Sequence, residues 1–599
     1  MEGSYWDRTR VGRRGFLRLT GVGAAGLAGA ALVGCGGGSD APAPKATAAA
    51  SGTAAAPAKA TPTPAANAQI NPSGEVADLL KRFPAVMQHK PGPARKGGTL
   101  RIGSPYDLGS LDPQTSTAGV TINHTVIAYN RLMKYDNGPK WDPNDLPGTI
   151  TNDLAQKFEQ PSPTEYVFTL APNIKFHNVA PVNGRALTAQ DVVYSYEKYM
   201  AGGAQKYFMQ FIDKVTAVDD KTVKITTKRP VADQLAYIAS RYLSIFPKEL
   251  VDSKELATKA IGTGPMILKK ALKGERLTWE RNPDYFMGPV PLDGIDYVIM
   301  SDGTKRDQAL RAGQVDLVQS SFNGVESVLE LVKSKAAVKG SSAIPVSGRN
   351  SIAFQNRSAP WNDVRVRRAV ALGSDLKKWG ELAYGPGLSF VAPIIPWRMV
   401  LNAPPTLGDL GQYYGFNPAE ATKLIDAAGV KGHEFPISYY AYNASYDDIA
   451  DLMVQNMNAI GLKPKTAKTD NNTFNAKWTP GTFEGIALGW KATPVTPTDV
   501  ISGYYDPASS LNRWGIKDEQ ISGLVKKQDA LSSVDERRAV WKQIWERDID
   551  QVYYVSLPDT LKFNLMSDKV QGFQFGWYQT NLGDTYDIGN QLEDVWLSE

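Results

Sequence analysis

The residue types that most often carry chemistry are scarce in this 599-residue sequence. It contains one cysteine, Cys35, and four histidines, at positions 89, 124, 177 and 433. A single cysteine excludes an internal disulfide and any metal site built from several cysteines, and four histidines offer little for another kind of metal site. The sequence has neither the Gly-x-Ser-x-Gly elbow of a serine hydrolase nor a His-Glu-x-x-His pair. We therefore expect no catalytic residue, no metal and no cofactor.

Cys35 instead fits a lipid attachment point behind an export signal. Arg13 and Arg14 precede an apolar segment, rich in Ala, Gly and Leu, that ends in Leu-Val-Gly-Cys at positions 32–35. A twin-arginine pair before a modestly apolar stretch is typical of a Tat signal, and the last four residues resemble a lipobox, where cleavage leaves the cysteine to be acylated. Residues 19–34 are fewer than the roughly 18 to 20 that a membrane-spanning helix needs. Gly12 stands where the Tat pattern usually has Ser or Thr, so Sec export remains an alternative.

The basic residues of the chain do not indicate nucleic-acid binding. The formal net charge is +5 at pH 7, but five arginines and two acidic residues lie within positions 1–34, so removing that segment leaves +2. Nucleic-acid binding requires basic residues clustered on one face. The basic run Arg365, Arg367 and Arg368 is expected at the start of a helix, with its side chains in solvent.

Composition divides the chain into a signal, a linker and a globular body. Positions 36–71 are dominated by Gly, Ser, Thr, Ala and Pro, a composition that buries too little apolar surface to fold. We therefore expect a signal peptide at 1–34 and a lipid-anchored flexible linker at 35–96. From about position 97 aromatic residues occur throughout, and no second apolar run is long enough to span a membrane. The body of roughly 500 residues exceeds the size of one hydrophobic core and suits two lobes.

Local patterns favour a mixed α/β body. Residues 99–102 and 166–170 alternate between apolar and polar side chains, which predicts strands. Helix starts are predicted where a capping residue is followed three positions later by an acid: Thr188 with Asp191, Asn417 with Glu420, and Ser533 with Glu536. The string Gly-Thr-Gly-Pro at 262–265 lacks the Gly-Lys-Ser/Thr ending of a phosphate loop, so we expect a turn there.

Short strings along the body form a recognisable series, at positions 97–102, 111–113, 154–155, 175–178, 187–195, 262–265, 280–286, 310–316, 362–370 and 426–429. In sequence and in order they resemble the family 5 extracytoplasmic solute-binding proteins of ABC importers, the group that includes dipeptide, oligopeptide and nickel binders. These strings cover nearly the whole body, and their order is much more specific than any one of them.

The resemblance implies a two-lobed periplasmic-binding-protein fold of α/β class, with a hinge between the lobes. Lobe I would comprise 97–345 plus 555–599, with an extra subdomain near 135–247, and lobe II would comprise 346–554. The lobes would close on a small solute and deliver it to the permease and ATPase subunits of an ABC importer. The protein would work as a monomer, in the periplasm or on the outer cell surface, anchored to the membrane through lipidated Cys35.

The resemblance also directs attention to Trp490 as a ligand contact. In members that bind free dipeptides, an aspartate three residues after this tryptophan pairs with the peptide ammonium, whereas this chain has Thr493, a neutral hydroxyl. A buried ammonium without a countercharge is costly. The family's default cargo is a peptide, but we do not expect a free dipeptide here. Aromatic and amide side chains nearby suit a longer peptide, a sugar or another neutral metabolite.

The other candidate contacts are Tyr440, Tyr442 and Asn443. Tyr439 and Tyr440 are adjacent on an expected strand, so their side chains point to opposite sides and at most one faces the cleft. A lipid-anchored hydrolase remains a remote alternative, because Ser, His and acidic residues are present without an arrangement that would activate a nucleophile.

Overall fold

The computed structural model describes residues 69, 72–84, 87, 94–105, 107–115, 119–136, 149–318, 325–348, 350–440, 445–490, 496–531, 533–575 and 588–598. Several residues to which the sequence analysis gives a role lie outside the described residues: Arg13, Arg14, Cys35, Tyr442, Asn443 and Thr493.

Strands and helices alternate along the body. The strands are β1 Thr99–Ser104, β2 Met133–Tyr135, β3 Ile150–Asn152, β4 Ala155–Ser162, β5 Glu165–Leu170, β6 Ile212–Ala217, β7 Thr222–Thr227, β8 Met266–Leu272, β9 Arg276–Arg281, β10 Gly294–Ile299, β11 Leu317–Val318, β12 Val338–Ala343, β13 Asn350–Phe354, β14 Ser389–Phe390, β15 Glu434–Tyr439, β16 Lys463–Lys468, β17 Ile486–Trp490, β18 Tyr554–Ser556, β19 Asp559–Thr560, β20 Lys562–Ser567, β21 Val570–Gln571 and β22 Trp596–Leu597. The α-helices are α1 Gly74–Arg82, α2 Gly119–Ala128, α3 Ala189–Ala201, α4 Gln234–Ile238, α5 Lys248–Asp252, α6 Gly303–Arg311, α7 Val325–Lys333, α8 Val364–Gly373, α9 Leu376–Tyr384, α10 Pro418–Ala428, α11 Ser445–Ala459, α12 Asn471–Trp478, α13 Pro497–Tyr505, α14 Glu519–Asp529 and α15 Val534–Gln551.

The largest sheet combines strands from both ends of the body. Its order is β12-β20-β11-β1-β10-β9-β8. Strand β1 runs parallel to β10 and β11, whereas β20, which comes late in the chain, pairs antiparallel with β11 and β12. The carboxyl-terminal segment is therefore built into the same sheet as the first strand.

A second sheet, of five strands, carries the site considered below. Its order is β16-β15-β17-β13-β18. Strand β17 lies between β15, to which it is parallel, and β13, to which it is antiparallel. Residues 486–489 of β17 are buried, so this strand lies in the interior of its layer and holds the residue at its carboxyl end in a fixed place.

A separate antiparallel sheet has the order β4-β5-β7-β6. Buried and half-buried residues alternate along β5, in agreement with the period-two pattern that predicts a strand at 166–170. All of these strands lie between positions 155 and 227, within the range expected for an extra subdomain. The limits of the two lobes and of this subdomain stay predictions.

The buried apolar side chains of the described residues form two clusters. One contains the interior of the five-stranded sheet and the helices that follow it, and the other contains β1, β10, the four-stranded sheet and the carboxyl-terminal residues from 566 onward. Two separate apolar clusters fit a body too large for one core.

The predicted helix starts are confirmed by their hydrogen bonds. The Asn417 side chain accepts a hydrogen bond from the backbone N–H of Glu420, with Pro418 at the first helical position and Gly429 in the left-handed conformation at the end. The Asp191 carboxylate accepts the backbone N–H of Thr188 at 2.9 Å. A helix cap depends only on residues a few positions apart, so the sequence alone predicts these helix starts.

The expectation of a flexible linker throughout 35–96 is wrong for its later part. Residues 74–82 form α1, in which Leu79 is buried, and Phe83 directly after it is also buried. Val76, Leu79, Leu80 and Phe83 recur at helical spacing and pack against one of the apolar clusters. The averaged composition of the segment conceals this amphipathic stretch.

The expectation of a solvated basic run also fails at one position. Arg367 is 3 % exposed, and its guanidinium donates to the backbone oxygens of Trp361, Gln551 and Val552. Its neighbour Arg365 is exposed and pairs with Asp363. One turn of α8 therefore presents one arginine to the protein interior and the other to solvent.

Candidate ligand-binding site

Trp490 ends the central strand β17, at the edge where the chain leaves the sheet. Its backbone oxygen accepts a hydrogen bond from the indole N–H of Trp478 at 3.1 Å. The same oxygen lies 3.5 Å from Nη1 of Arg513. The end of the strand is thus held from two sides, and the Trp490 side chain starts from a fixed backbone.

Within the described part of the chain, four aromatic side chains meet at this strand end, and we call them the aromatic cluster: Tyr440, Phe474, Trp478 and Trp490. The Trp490 ring stacks on Phe474, with centroids 5.3 Å apart, and meets Tyr440 edge to face at 5.3 Å. Trp478 is fully buried beneath them, and its ring centroid lies 6.0 Å from that of Trp490. Trp490 and Tyr440 are only half-buried. The cluster therefore fixes the indole while leaving part of it accessible to a ligand.

The two adjacent tyrosines point in different directions, as the alternation of a strand requires. Tyr439 is buried and donates from its hydroxyl to the Asp447 carboxylate at 2.9 Å. Burial and this carboxylate raise the pKa of Tyr439 to about 12. Tyr440, on the other side, joins the aromatic cluster, so it is the one of the pair that stays a candidate contact.

Phe474 and Trp478 are members of the cluster that the sequence analysis does not single out. They are four residues apart on α12, a spacing that places them on one helix face. That spacing is visible in the sequence, but their approach to Trp490 depends on how α12 packs against β17.

Arg513 is a further residue that sequence reasoning misses. Its guanidinium carbon lies 5.7 Å from the ring centroid of Trp478, and its side chain is half-buried. The Nε atom is buried and has no hydrogen-bond partner among the described residues. Burial lowers the pKa of Arg513. No signal in the local sequence, Leu-Asn-Arg-Trp-Gly, indicates that this arginine approaches the end of β17.

A buried polar network lies at the start of α13. Arg537 on α15 forms a two-point ion pair with Asp233, with N–O distances of 2.6 and 2.8 Å. Asp233 also accepts the backbone N–H of Thr498 at 2.9 Å, at the start of α13. We call Asp233, Tyr237, Thr498, Asp499, Gln528 and Arg537 the buried polar network.

The buried polar network joins two distant parts of the chain. The Tyr237 hydroxyl donates to the Asp499 carboxylate at 2.6 Å, and Gln528 accepts from Nη2 of Arg537 at 2.9 Å. Burial opposes ionisation of Asp233, yet the Arg537 charge and the hydrogen bonds from Arg537 and Thr498 hold its pKa below the usual value. Helix α13 is thus attached to the 233–237 region through buried hydrogen bonds and the Asp233–Arg537 ion pair.

His177 has a structural role. Its Nε2 lies 3.0 Å from the backbone oxygen of Gly264, and burial lowers its pKa to about 4. A Cβ atom on Gly264 would lie 2.6 Å from the backbone carbonyl carbon of Ala128, which is too close for any side chain. The backbone packing therefore requires glycine at this position. Residues 262–265 form a tightly packed turn next to His177. Among the described residues, no three His, Cys, Asp or Glu side chains form a group suited to a metal ion.

Comparison with known proteins identifies the family. Residues 149–512 match the family described as "Bacterial extracellular solute-binding proteins, family 5 Middle". This chain belongs to that family. The α/β fold of the chain is therefore the two-lobed fold of periplasmic binding proteins. The related proteins are binding proteins and not enzymes.

Individual relatives agree with this assignment. The chain is 25 % identical to the heme-binding protein A of Haemophilus influenzae over 479 residues, which cover 74 % of this chain and 84 % of that protein. It is 24 % identical to the dipeptide-binding protein of Escherichia coli, over 77 % and 89 % of the two chains. The periplasmic binding protein DppA of Helicobacter pylori, solved with the peptide STSA, superposes with a TM-score of 0.68 at 23 % identity, over 84 % of this chain and 99 % of that one.

The family assignment also places the protein outside the cytoplasm. Family 5 binding proteins are extracytoplasmic components of ABC importers that take a small solute as their ligand. Within the part of the chain that the structure describes, no helix has the length and apolar character to cross a membrane.

Proposed function

We propose that this protein is the lipid-anchored receptor of an ABC importer, capturing a solute between two closing lobes and passing it to the permease. The supporting observation is the aromatic cluster, in which Trp490 is fixed by Phe474 and Tyr440 but remains half-exposed. A flat, pre-oriented ring at a strand end provides contact area at little entropic cost. In this proposal Trp490, Thr493, Tyr440, Tyr442 and Asn443 contact the cargo.

Closure of the lobes is the second part of the proposal. Lobe I would comprise 97–345 plus 555–599 and lobe II 346–554, so the Asp233–Arg537 ion pair would join the two lobes, and in this proposal the pair stays formed when the lobes open. A ligand shifts the equilibrium toward the closed form only through contacts that the open form lacks. Small-angle scattering should give a smaller radius of gyration with bound solute, and an unchanged radius despite independently confirmed binding would contradict closure.

The cargo in this proposal is a peptide longer than a dipeptide, with a sugar or another neutral metabolite as the alternative. The relatives named above include a dipeptide binder, which supports peptide-type cargo. Thr493 supplies no negative charge for a free ammonium, which argues against a zwitterionic dipeptide.

Binding without chemical change separates a receptor from a hydrolase. The purified protein, without its signal peptide, would be incubated with a mixture of peptides and sugars, washed and denatured. We expect recovery of an unchanged solute. Recovery of cleavage products that a protein-free control lacks would contradict the receptor role.

Lipid anchoring at Cys35 is a separate part of the proposal with its own test. The residues Leu-Val-Gly-Cys at 32–35 support it, and Arg13 with Arg14 supports export by the Tat route. Cys35→Ser should accumulate as unprocessed precursor, and the wild-type protein should partition with membranes. Normal cleavage and membrane retention of Cys35→Ser would exclude the assignment, whereas Arg13→Lys with Arg14→Lys tests the Tat route alone.

A further inference from the structure

Arg513 is held in place by the residues on either side of it. The Asn512 side chain donates to the backbone oxygen of Ile516 at 2.7 Å and accepts the backbone N–H of Ile516 at 2.9 Å. Trp514 is fully buried, and its backbone oxygen accepts the Asn356 side chain at 2.9 Å. The backbone at Arg513 is therefore fixed by a closed turn and a buried anchor, so its guanidinium starts from a defined position.

The guanidinium itself is poorly satisfied. Its hydrogen bond, from Nη1 to the Trp490 oxygen, is 3.5 Å long, which is at the limit of such a bond. The Nε atom is buried, and no described residue accepts a hydrogen bond from it. Among the described residues no carboxylate pairs with Arg513, and the segment that directly follows Trp490, positions 491–495, contains no acidic residue.

Two buried arginines, Arg367 and Arg537, and the exposed Arg357 use more of their donors within the protein. Arg367 donates to three backbone oxygens, and Arg357 donates to the Gln355 side chain at 3.1 Å and to the Asn512 oxygen at 3.2 Å. Arg537 has a carboxylate on both of its terminal nitrogens. By contrast, the half-buried Arg513 makes one long hydrogen bond, to the backbone of Trp490, and lies over the ring of Trp478.

An anionic ligand would balance the charge of a half-buried guanidinium and accept hydrogen bonds from its unused donors. A guanidinium remains protonated at any physiological pH, so it cannot relieve the cost of burial by losing its charge. A carboxylate accepts two parallel hydrogen bonds from it, in the geometry that arginine recognises best. The neighbouring Trp490 offers a face for a planar or apolar group on the same solute.

We propose that Arg513 binds a carboxylate of the cargo, so that the solute class is an organic acid or peptide whose acidic end lies at Arg513 and whose body contacts Trp490. This inference rests on the proposed function and narrows it. The carboxylate is either the carboxyl terminus of a peptide or the acid group of a non-peptide solute such as a sugar acid.

Paired ligands that differ only in this charge provide the test. Calorimetry would compare a four-residue peptide acid with its carboxamide, and galacturonic acid with galactose, on the wild-type protein and on Arg513→Met. The wild type should bind one acid at least about tenfold more tightly than its neutral partner, the size expected for a charge-assisted hydrogen bond. Arg513→Met should reduce that ratio to about one. The pair that shows the preference distinguishes a peptide terminus from a sugar acid.

Two further variants keep the result interpretable. Arg513→Gln retains a hydrogen-bond donor toward the Trp490 oxygen without the charge, and it decides the question if Arg513→Met does not fold. Arg368→Met is the matched control, because Arg368 is a half-buried arginine of the same apolar cluster region that already pairs with Asp550. Arg368→Met should keep the wild-type preference.

The outcomes separate this inference from the proposed function. Equal binding of acid and neutral partner by the wild type, or a preference that survives in Arg513→Met and Arg513→Gln, would overturn the role of Arg513 while leaving a solute-binding protein. Failure of all four compounds to bind would count against the peptide and sugar cargo of the proposed function and against this inference together.

Discussion

Arg537 and Arg513 both bring a guanidinium out of water, but their surroundings differ. In the buried polar network, Arg537 is 2 % exposed and its terminal nitrogens contact Asp233, Thr498 and Gln528. At the aromatic cluster, Arg513 has a 3.5 Å contact with one backbone oxygen and a buried Nε without a partner. The first arginine has its countercharge within the protein, whereas the second lacks one among the described residues.

The difference indicates separate roles for the two regions. A buried ion pair with complete hydrogen bonding contributes to a specific arrangement of the segments that it joins, and breaking it leaves an uncompensated charge. A polar group that the protein leaves partly unsatisfied is available for a ligand, which can supply the missing partner on binding. We therefore expect variants at Arg537 to change stability and variants at Arg513 to change binding.

Arg537→Met should have the largest effect on folding. Removing one partner leaves the Asp233 carboxylate buried without its countercharge, and such losses cost about 3 to 5 kcal/mol of unfolding free energy. Arg513→Met should cost about 1 kcal/mol or less, since it removes one long hydrogen bond. Urea unfolding of the ligand-free proteins gives both values.

A double replacement sharpens this prediction. Asp233→Leu combined with Arg537→Met removes both charges and should recover part of the stability that either single variant loses. Equal stability losses in Arg513→Met and Arg537→Met would remove the distinction between the two regions.

Asp548 is a buried carboxyl group without a countercharge in the described part of the chain, and protonation removes the cost of burying its charge. It is 5 % exposed, forms no ion pair with the described residues and accepts a hydrogen bond from the Tyr554 hydroxyl. Burial raises the pKa of Asp548 to about 7. The folded protein therefore holds this proton more tightly than the unfolded chain, and stability should fall as the pH rises from about 4 to about 7.

Asp548→Asn isolates this effect from other titrating groups. Burial lowers the pKa values of His124 and His177 to about 4, so these two groups destabilise the fold in the opposite direction, as the pH falls below about 6.5. The variant should gain stability relative to wild type as the pH rises from 4 to 7, by roughly 2 to 4 kcal/mol. Thermal unfolding across this range measures it, and a constant difference between the two proteins would contradict an ionising Asp548.

Trp490→Ala should weaken the native cargo by about 1 kcal/mol or more, because the ring provides stacking area. Trp490→Phe is the matched control, since it retains an aromatic face against Phe474, and it should lose less. Calorimetry with the identified cargo decides the matter. Unchanged affinity in Trp490→Ala would show that the aromatic cluster is only a packing feature.

Thr493→Asp should change which ligand the protein prefers. A carboxylate here would offer a partner for a peptide ammonium, and a gain in dipeptide affinity of about tenfold is the lower end for a charge-assisted bond. The same charge should weaken an anionic native cargo. Thr493→Asn, which adds polarity without charge, is the control, and tight binding of free dipeptides by the wild type would refute the role given to Thr493.

Local rules predict much of the fold from the sequence. Helix starts at Thr188, Asn417 and Ser533 follow from side chains that cap their own helix, and the strand at 166–170 follows from alternation. The sequence analysis does not predict helix α1, because the averaged composition of the segment hides a short amphipathic pattern at Leu79 and Phe83. Long family-like strings, taken in order, lead further than any of these patterns, to the two-lobed fold and the binding role.

The site is less predictable because it depends on residues far apart in sequence. Trp490 and Tyr440 can be proposed from the resemblance, but Arg513 cannot, since nothing in its neighbourhood indicates which charges surround it. The partners Asp233 and Arg537 are 304 positions apart. Whether a given arginine is satisfied is a property of the packed structure and not of local spacing.

Native mass spectrometry of the gently purified protein tests the central claim most directly. The account predicts a complex with one small solute per chain, released with its mass unchanged on denaturation and bound again when returned to the refolded protein. A protein that binds no such solute from its own cell extract, or that returns a solute with an altered mass, would contradict a receptor that captures and delivers its cargo intact.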